Sequence, residues 1–287
     1  MAERIQKLLA TMGIGSRRQL EAMIEEGRIS VNGQVAKLGD RADYGDKIRI
    51  DGRLIKLHYR PKNKQRVLVY NKPEGEVCSR SDPEGRTTIF ERLPKLRSGR
   101  WVAVGRLDIN TSGLLLLTTD GELANKLMHP SSEIEREYAV RTMGEADETI
   151  LKALQEGVEL DDGCAHFDSV RDAGGQGFNH WYHVTLAEGR KREVRRLWES
   201  QGITVSRLIR VRFGPLTLPR GLRPGEWKEL ERRDLEQLYA SVGLSLDEAD
   251  EVMPEAARRG GAKRQGAARR SDRPRSRSKQ KPSPRRR

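Results

Sequence analysis

The sequence predicts an α+β protein with two folded parts and a disordered basic tail. Between residues 66 and 241, helical and strand patterns interrupt each other irregularly, without the strict βαβ alternation that indicates a parallel sheet. A mostly antiparallel sheet is therefore expected there. The predicted parts are residues 1–60, residues 66–243 and an acidic-then-basic tail at residues 244–287, with a polar linker at residues 58–65.

The N-terminal part begins with two helices and continues with hairpins. Apolar residues at i, i+3, i+4 and i+7 predict a helix over residues 5–12. A capping box of Ser16 and Gln19 predicts the start of a second helix. Asn32-Gly33 and Asp51-Gly52 then follow strand patterns, and both pairs are strong signals for two-residue hairpin turns. The order is thus helix, helix, hairpins.

The central part carries six strand patterns and four helical ones. The strand patterns are residues 66–70, 101–104, 114–118, 138–141, 181–186 and 208–213. The helical patterns are residues 121–128, 147–155, 191–200 and 233–241. Residues 72–75, Lys-Pro-Glu-Gly, are interpreted as a turn after the first strand.

One loop of the central part combines a polar cluster with apolar surroundings. The segment from Gly105 to Gly113 lies between two apolar strand patterns and holds a single carboxylate, Asp108. Apolar runs on both sides indicate that the loop leaves a packed sheet, where a carboxylate is a candidate for chemistry. The alternative is that Asp108 is a turn residue that shapes the loop together with Asn110.

Several familiar chemistries lack their motifs. The sequence has no Walker-type phosphate loop, no GxSxG elbow, no HExxH helix and no zinc-deaminase pattern. The five histidines form no recognisable ligand set, and Cys78 and Cys164 have no partner at metal-ligand spacing. We therefore expect neither a metal nor a nucleotide cofactor.

Three segments resemble the catalytic motifs of the pseudouridine synthases that act on single ribosomal RNA sites. They are Gly-Arg-Leu-Asp with Thr-Ser-Gly-Leu-Leu at residues 105–115, Arg136-Glu137-Tyr138, and the basic segment at residues 188–195. The second motif has Arg136 where the family usually has Lys. The resemblance implies cofactor-free isomerisation of a uridine that is flipped out of the RNA.

The resemblance implies a role for four side chains. Asp108 would be the catalytic carboxylate and Arg195 its counter-ion, because an unpaired buried carboxylate takes up a proton. Tyr138 would pack against the flipped uracil and assist proton removal, and Arg106 would fill the space that the uridine leaves. Judged without the resemblance, Arg195 is a solvated helix charge, Tyr138 a core residue and Arg106 a phosphate contact.

The N-terminal part resembles the S4 RNA-binding domain over most of residues 3–56. The resemblance rests on Ser16-Arg17-Arg18 at the start of the second helix and on residues 27–33 after its end. It implies that five basic side chains hold RNA phosphates, and they are Arg4, Lys7, Arg17, Arg18 and Arg28. The alternative is that they are ordinary solvated charges.

Further segments, at residues 82–86 and 92–96, resemble the subgroup that modifies the large ribosomal subunit, as does the basic tail. This implies a uridine of 23S ribosomal RNA as the substrate. Two alternatives stay open. One is a sister enzyme acting on another 16S or 23S site, and the other is a non-catalytic RNA-binding ribosome-assembly protein.

Most of the net charge of +13 comes from the tail. Residues 255–287 hold 14 Lys and Arg against 2 acids, a local charge of +12 that leaves +1 for the rest of the chain. So polar a segment is expected to be disordered and to act as an electrostatic arm for RNA, or else as a solubilising extension. Without a signal-peptide core or a long apolar run, a soluble cytoplasmic monomer with no membrane contact is expected.

Overall fold

The computed structural model describes residues 2–55, 65–96 and 99–246. The described residues form one compact unit. Most of the predicted linker and the whole predicted basic arm lie outside the described residues. Within the described ranges, no helix has the length and apolar character needed to cross a membrane.

The N-terminal part has the predicted order of helices and hairpins. Its elements are β1 (Glu3–Arg4), α1 (Ile5–Thr11), α2 (Arg17–Glu25), β2 (Ile29–Val31), β3 (Gln34–Val35), β4 (Arg41–Ala42), β5 (Ile48–Ile50) and β6 (Arg53–Ile55). Four strands form a sheet in the order β3-β2-β5-β6, and β1 pairs with β4. The Ser16 hydroxyl accepts a hydrogen bond from the Gln19 amide at 3.1 Å and so caps α2.

Both predicted hairpin turns are present. Asn32 and Gly33 have φ angles of 54° and 91°, and Asp51 and Gly52 have φ angles of 49° and 75°. Positive φ at both central residues is the geometry that matches the twist of the flanking strands. The apolar sides of the two helices and this sheet pack into one hydrophobic core.

The central part is built on a nine-stranded sheet. The strands of the central part in chain order are β7 (Val67–Lys72), β8 (Val102–Val104), β9 (Ser112–Thr118), β10 (Arg136–Met143), β11 (Val158–Leu160), β12 (Gly163–Ala165), β13 (Ser169–Gln176), β14 (Asn179–Leu186), β15 (Thr204–Phe213), β16 (Leu216–Thr217) and β17 (Trp227–Glu229). Seven strands of the nine-stranded sheet lie in the order β13-β14-β10-β15-β9-β7-β17, and the other two are β8, which pairs with β9, and β16, which pairs with β15. Strands β11 and β12 form a separate two-stranded sheet. Every pairing in the sheet is antiparallel except that of β9 with β15. The predicted α+β fold with a mostly antiparallel sheet is confirmed.

Helices cover both faces of this sheet. They are α3 (Gly121–Met128), α4 (Glu148–Glu156), α5 (Glu193–Ser200) and α6 (Arg232–Ala240), with short 3-10 turns at Ile89–Arg92 and Pro130–Ser132. Leu115 and Leu117 of β9 belong to the hydrophobic cluster that includes α4 and α5. Leu114 and Leu116 belong to the cluster that includes α3 and α6. Because alternate side chains of a strand point to opposite faces, the leucine run is buried on both sides.

The structure differs from the sequence patterns at the start of α5 and at five strands of the central part that were not predicted, β11, β12, β13, β16 and β17. Helix α5 begins at Glu193 rather than at residue 191, because Arg192 has a φ of 54° and cannot belong to a right-handed helix. Strand β13 was not predicted, since it is an almost wholly exposed edge strand without apolar alternation.

Candidate active site

Three neighbouring strands bring the predicted site residues together. Strand β15 lies between β9 and β10, and its Arg210 is opposite Gly113 on one side and Tyr138 on the other. The loop that carries Asp108 runs directly into β9. Asp108, Tyr138 and Arg210 therefore meet where β9 begins.

Gly113 is what allows β9 and β15 to lie so close. It has a φ of +100°, and a Cβ atom added there would lie 2.3 Å from the carbonyl oxygen of Arg210. Any other residue would push the two strands apart or strain the backbone. The close approach of β9 and β15 thus explains why the loop motif has glycine at this position.

The loop and these strands line a cleft of about 890 Å³. Arg106, Asp108 and Tyr138 all line it. Arg106 is exposed, Asp108 is partly buried, and Tyr138 is only 9% exposed. The volume is within the usual range of small-ligand pockets, so the cleft has room for a flipped base.

The backbone of the Asp108 loop is held from outside by hydrogen bonds to its carbonyl groups. Each carbonyl oxygen from residue 107 to residue 111 accepts at least one. The Cys78 thiol donates to the carbonyl of residue 107 at 3.3 Å, and the Gly75 amide donates to that of residue 109 at 2.8 Å. The Lys72 ammonium donates to the carbonyls of residues 108 and 111 at 3.1 and 2.9 Å, and the Thr111 amide also donates to that of residue 108 at 3.0 Å. The Arg195 guanidinium donates to the carbonyl of residue 110 at 2.8 Å. This set of bonds fixes the backbone from which the Asp108 side chain extends.

Lys72 is a buried residue behind the cleft that the sequence analysis did not single out. The sequence assigns it only to a turn, yet its side chain is fully buried. Its ammonium donates to the carbonyls of Pro73, Asp108 and Thr111 at 3.0, 3.1 and 2.9 Å. Burial lowers the pKa of Lys72, and nearby acidic groups, Asp108 among them, oppose that lowering. Lys72 therefore supplies a buried positive charge to the loop.

Arg195 does not form the predicted ion pair with Asp108. Its guanidinium donates to the carbonyls of Asn110 at 2.8 Å and Val205 at 2.7 Å. Among the described residues, no ion pair within 4.0 Å joins Arg195 to Asp108. Burial lowers the pKa of Arg195, whereas the charge of Asp108 raises it. Arg195 thus contacts the backbone of the loop and not the Asp108 carboxylate, because two carbonyls occupy its guanidinium. Its charge acts on Asp108 without a direct contact.

Two further arginines line the cleft beside Tyr138. Arg210 is 3% exposed, and its Nε donates to the Leu114 carbonyl at 2.7 Å. Arg136 is partly buried, and its Nη1 donates to three backbone carbonyls. The guanidinium carbons of Arg136 and Arg210 lie 5.4 and 5.1 Å from the centre of the Phe213 ring. Sequence reasoning named Arg136 only as a departure from a motif and did not single out Arg210.

Arg190, which precedes α5 and also lines the cleft, and Arg196 of α5 have carboxylate partners instead. Arg190 donates to Glu188 at 2.5 Å, and Arg196 donates to both oxygens of Asp162 at 2.8 and 2.9 Å. The Glu193 side chain accepts a hydrogen bond from the Arg190 amide, and burial raises the pKa of Glu193. These contacts join the β11–β12 hairpin to α5.

Two of the five basic residues predicted to hold RNA already have acidic partners. Lys7 pairs with Glu3 at 2.7 Å, and Arg28 pairs with Asp51 at 2.7 Å. In the part of the chain that the structure describes, the other three have no carboxylate within 4.0 Å, and they are Arg4, Arg17 and Arg18.

The described residues also bring three potential metal ligands together outside the cleft. Glu145, Asp172 and His180 offer ligand atoms within 4.8 Å of one another. His180 is already hydrogen-bonded to Asp172 at 2.8 Å, and none of the three lines the cleft. The group therefore has no part in the candidate site.

Comparison with known proteins links this fold and cleft to RNA modification. The model of the RNA pseudouridylate synthase family matches residues 66–200, and the S4 domain model matches residues 3–48. A solved structure described as a pseudouridylate synthase superposes with a TM-score of 0.58 and 27% identity, covering 82% of this chain and 99% of that one.

Curated relatives are more similar. A protein of Escherichia coli (strain K12) named ribosomal large subunit pseudouridine synthase B is 57% identical over 261 residues, which cover 90% of each chain. The protein of that name from Pseudomonas aeruginosa is 59% identical over 245 residues, covering 85% of this chain and 64% of the relative. The Haemophilus influenzae protein of that name is 59% identical over 247 residues, covering 85% of this chain and 69% of its own.

Proposed function

We propose, for a chain that belongs to the RNA pseudouridylate synthase family, the conversion of one uridine of 23S ribosomal RNA to pseudouridine. The reaction breaks the bond between C1′ of the ribose and N1 of uracil and forms a bond between C1′ and C5. The C5 hydrogen leaves as a proton, and N1 gains a proton. Because the atoms balance within one nucleotide, the reaction requires no cofactor.

The observation that carries this proposal is that Asp108 lines the cleft on a loop whose backbone is held by hydrogen bonds. A carboxylate can attack the sugar or the base, or stabilise a detached sugar cation, and each route needs it ionised. Lys72 and Arg195 bring two buried cations to the carbonyl groups of the Asp108 loop. Asp108 is the carboxylate on the loop that these two cations hold, which is why we assign it the catalytic role.

Tyr138 and Arg106 are assigned roles at the base and in the RNA. The Tyr138 ring lies on the cleft wall and would pack against the flipped uracil and assist removal of the C5 proton. Arg106 is exposed at the same cleft, so it can reach into the RNA and fill the gap that the uridine leaves. Flipping a base costs a few kcal/mol in lost stacking and pairing, which an inserted side chain offsets in part.

RNA binding outside the cleft is assigned to the N-terminal domain and the tail. Arg4, Arg17 and Arg18 would contact phosphates directly, whereas Lys7 and Arg28 would first exchange their carboxylate partners for RNA. The proposal keeps residues 1–60 as the RNA-holding domain, residues 66–243 as the catalytic domain, and a monomer in the cytoplasm as the working form. The tail arm predicts that removing residues 255–287 weakens RNA binding and lowers its salt dependence.

Pseudouridine mapping in ribosomal RNA tests the proposal in cells. Loss of the protein should remove pseudouridine at one position of 23S RNA. Wild type and the surface control Asp161→Asn should restore it, and Asp108→Asn should not. Loss at a 16S position would favour the sister enzyme, and no change at any position would favour a non-catalytic RNA-binding protein.

A further inference from the structure

The cleft holds an unused hydrogen-bond donor on a buried arginine. The Arg210 side chain is 3% exposed and lines the cleft, and its Nη2 is enclosed without a hydrogen-bond partner. Its Nε alone is engaged, at 2.7 Å from the Leu114 carbonyl. Buried polar groups nearly always have partners, and leaving one unpaired is costly. An unpaired buried guanidinium nitrogen at a cleft therefore points to a ligand.

A second arginine shares this place. Arg136 is opposite Phe213 in the strand register, just as Tyr138 is opposite Arg210. Both guanidinium groups lie over the Phe213 ring, at 5.4 and 5.1 Å from its centre. In the described residues, neither arginine has a carboxylate within 4.0 Å. The positive charge of Arg210 also lowers the pKa of Arg136, after the larger effect of burial.

Two partly desolvated cations that repel each other are stabilised best by an anion. A guanidinium offers several N–H donors in one plane, which match the oxygens of a phosphate group. The substrate of the proposed function provides such anions at each side of every nucleotide. A uracil ring has only neutral carbonyl oxygens, which leave the repulsion between the two arginines in place.

We propose that Arg210, supported by Arg136, binds a phosphate group of the RNA next to the flipped uridine. This inference rests on the proposed function, because it takes the ligand of the cleft to be that nucleotide. Arg210 is then a positioning residue. It fixes the ribose relative to Asp108 while Tyr138, its neighbour across the strands, contacts the base.

Neutral phosphate linkages test this contact directly. An RNA fragment that the wild-type protein modifies is made with a methylphosphonate on the 5′ or the 3′ side of the target uridine. Wild type should lose about 10-fold to 100-fold in kcat/KM with one of the two linkages. Arg210→Gln should lose a similar factor on the natural RNA and little more on that linkage. The control Arg207→Gln, an exposed residue of the same strand, should show the full wild-type loss.

The same measurements can overturn the inference. If the losses from Arg210→Gln and from each methylphosphonate multiply, Arg210 does not contact either phosphate. Circular dichroism checks the fold, and Arg210→Lys replaces Arg210→Gln if the latter does not fold. Dissociation constants of the same protein and RNA pairs are measured by fluorescence anisotropy. If wild type binds the RNA but forms no pseudouridine, the proposed function fails, while the coupling in binding still decides the role of Arg210.

Discussion

Two groups of arginines at the site have opposite kinds of partner. Arg190, which lines the cleft just before α5, and Arg196 of α5 pair with the carboxylates of Glu188 and Asp162. Arg136, Arg195 and Arg210 donate to backbone carbonyls and have no carboxylate partner in the described part of the chain. Surface pairs cancel charge locally, whereas a carbonyl orients a guanidinium and leaves its charge intact. The cleft therefore keeps positive potential for Asp108 and for the RNA.

Lys72 is the extreme case within the cleft region. Its ammonium is buried and bound only by neutral carbonyl oxygens, so its charge is offset by none of its direct partners. Water screens the partly exposed ion pairs of Arg190 and Arg196, but it screens buried charges much less. Charge changes in the cleft should thus have much larger effects than the same changes on α5.

The largest effect is expected for Lys72→Met. The variant leaves the carbonyls of Pro73 and Thr111 without this donor and removes a buried cation that contacts the loop. We expect a loss of about 3 kcal/mol in the free energy of unfolding, from two or more unsatisfied carbonyls. Activity should fall at least about 100-fold, because the carboxylate loses its fixed position. Urea unfolding measures the loss of stability, and release of tritium from RNA labelled at C5 of uridine measures the loss of activity.

The exposed Lys126→Met is the matched control for that variant. It should leave both quantities near wild type. Equal effects of the two lysine changes would contradict the difference between buried and surface charge.

A smaller effect is expected for Arg195→Lys, which keeps the charge but loses the planar fork that spans Asn110 and Val205. We expect kcat to fall about 10-fold to 100-fold with little change in KM, because the loop and not the RNA contact is altered. Single-turnover kinetics separate the two. A rise in KM at unchanged kcat would instead mean that Arg195 binds the substrate.

Glu193 gives a pH-dependent comparison. Burial raises the pKa of Glu193 above its usual value near 4.5, so the folded protein binds its proton more tightly than the unfolded chain does. The stabilising contribution of the protonated Glu193 is therefore lost as the pH rises from about 4.5 through the raised pKa of the folded protein. Glu193→Gln should flatten the fall in the unfolding midpoint above pH 4.5. An unchanged pH profile would show that the group is not buried in solution.

The smallest effect is expected for Asp162→Asn, in the turn between β11 and β12 that contacts α5. Its ion pairs with Arg196 and Arg190 are partly exposed, and surface pairs of this kind contribute little. The unfolding midpoint and the rate of tritium release should both stay close to wild type. A loss of activity comparable to that of Arg195→Lys would remove the distinction between arginines that pair with carboxylates and arginines that hold the loop through its carbonyl groups.

The sequence was sufficient for the features with local patterns. Apolar patterns predicted six strands of the central part, and Asn-Gly and Asp-Gly predicted both turns. The Asp108 loop and Tyr138 line one cleft. These features depend on neighbours in the chain, so a single sequence is enough to indicate them.

The contacts that hold the site depend on distant parts of the chain. Lys72 follows an apolar strand and precedes a proline, which gives no sign that its ammonium binds carbonyls of the Asp108 loop. Arg210 stands in an alternating strand pattern, and its position next to Tyr138 depends on the register of β10 and β15. In the described residues, Arg195 and Asp108 form no ion pair within 4.0 Å, because two carbonyls occupy the guanidinium, and the positions of those carbonyls follow only from the folded loop.

Release of tritium from 23S RNA labelled at C5 of uridine tests the central claim most directly. Purified wild type should release tritium in proportion to the pseudouridine formed. Asp108→Asn should bind the RNA with near wild-type affinity and release none, while Asp161→Asn should match wild type. Turnover by Asp108→Asn, or an RNA-binding wild type that releases no tritium, would contradict the account.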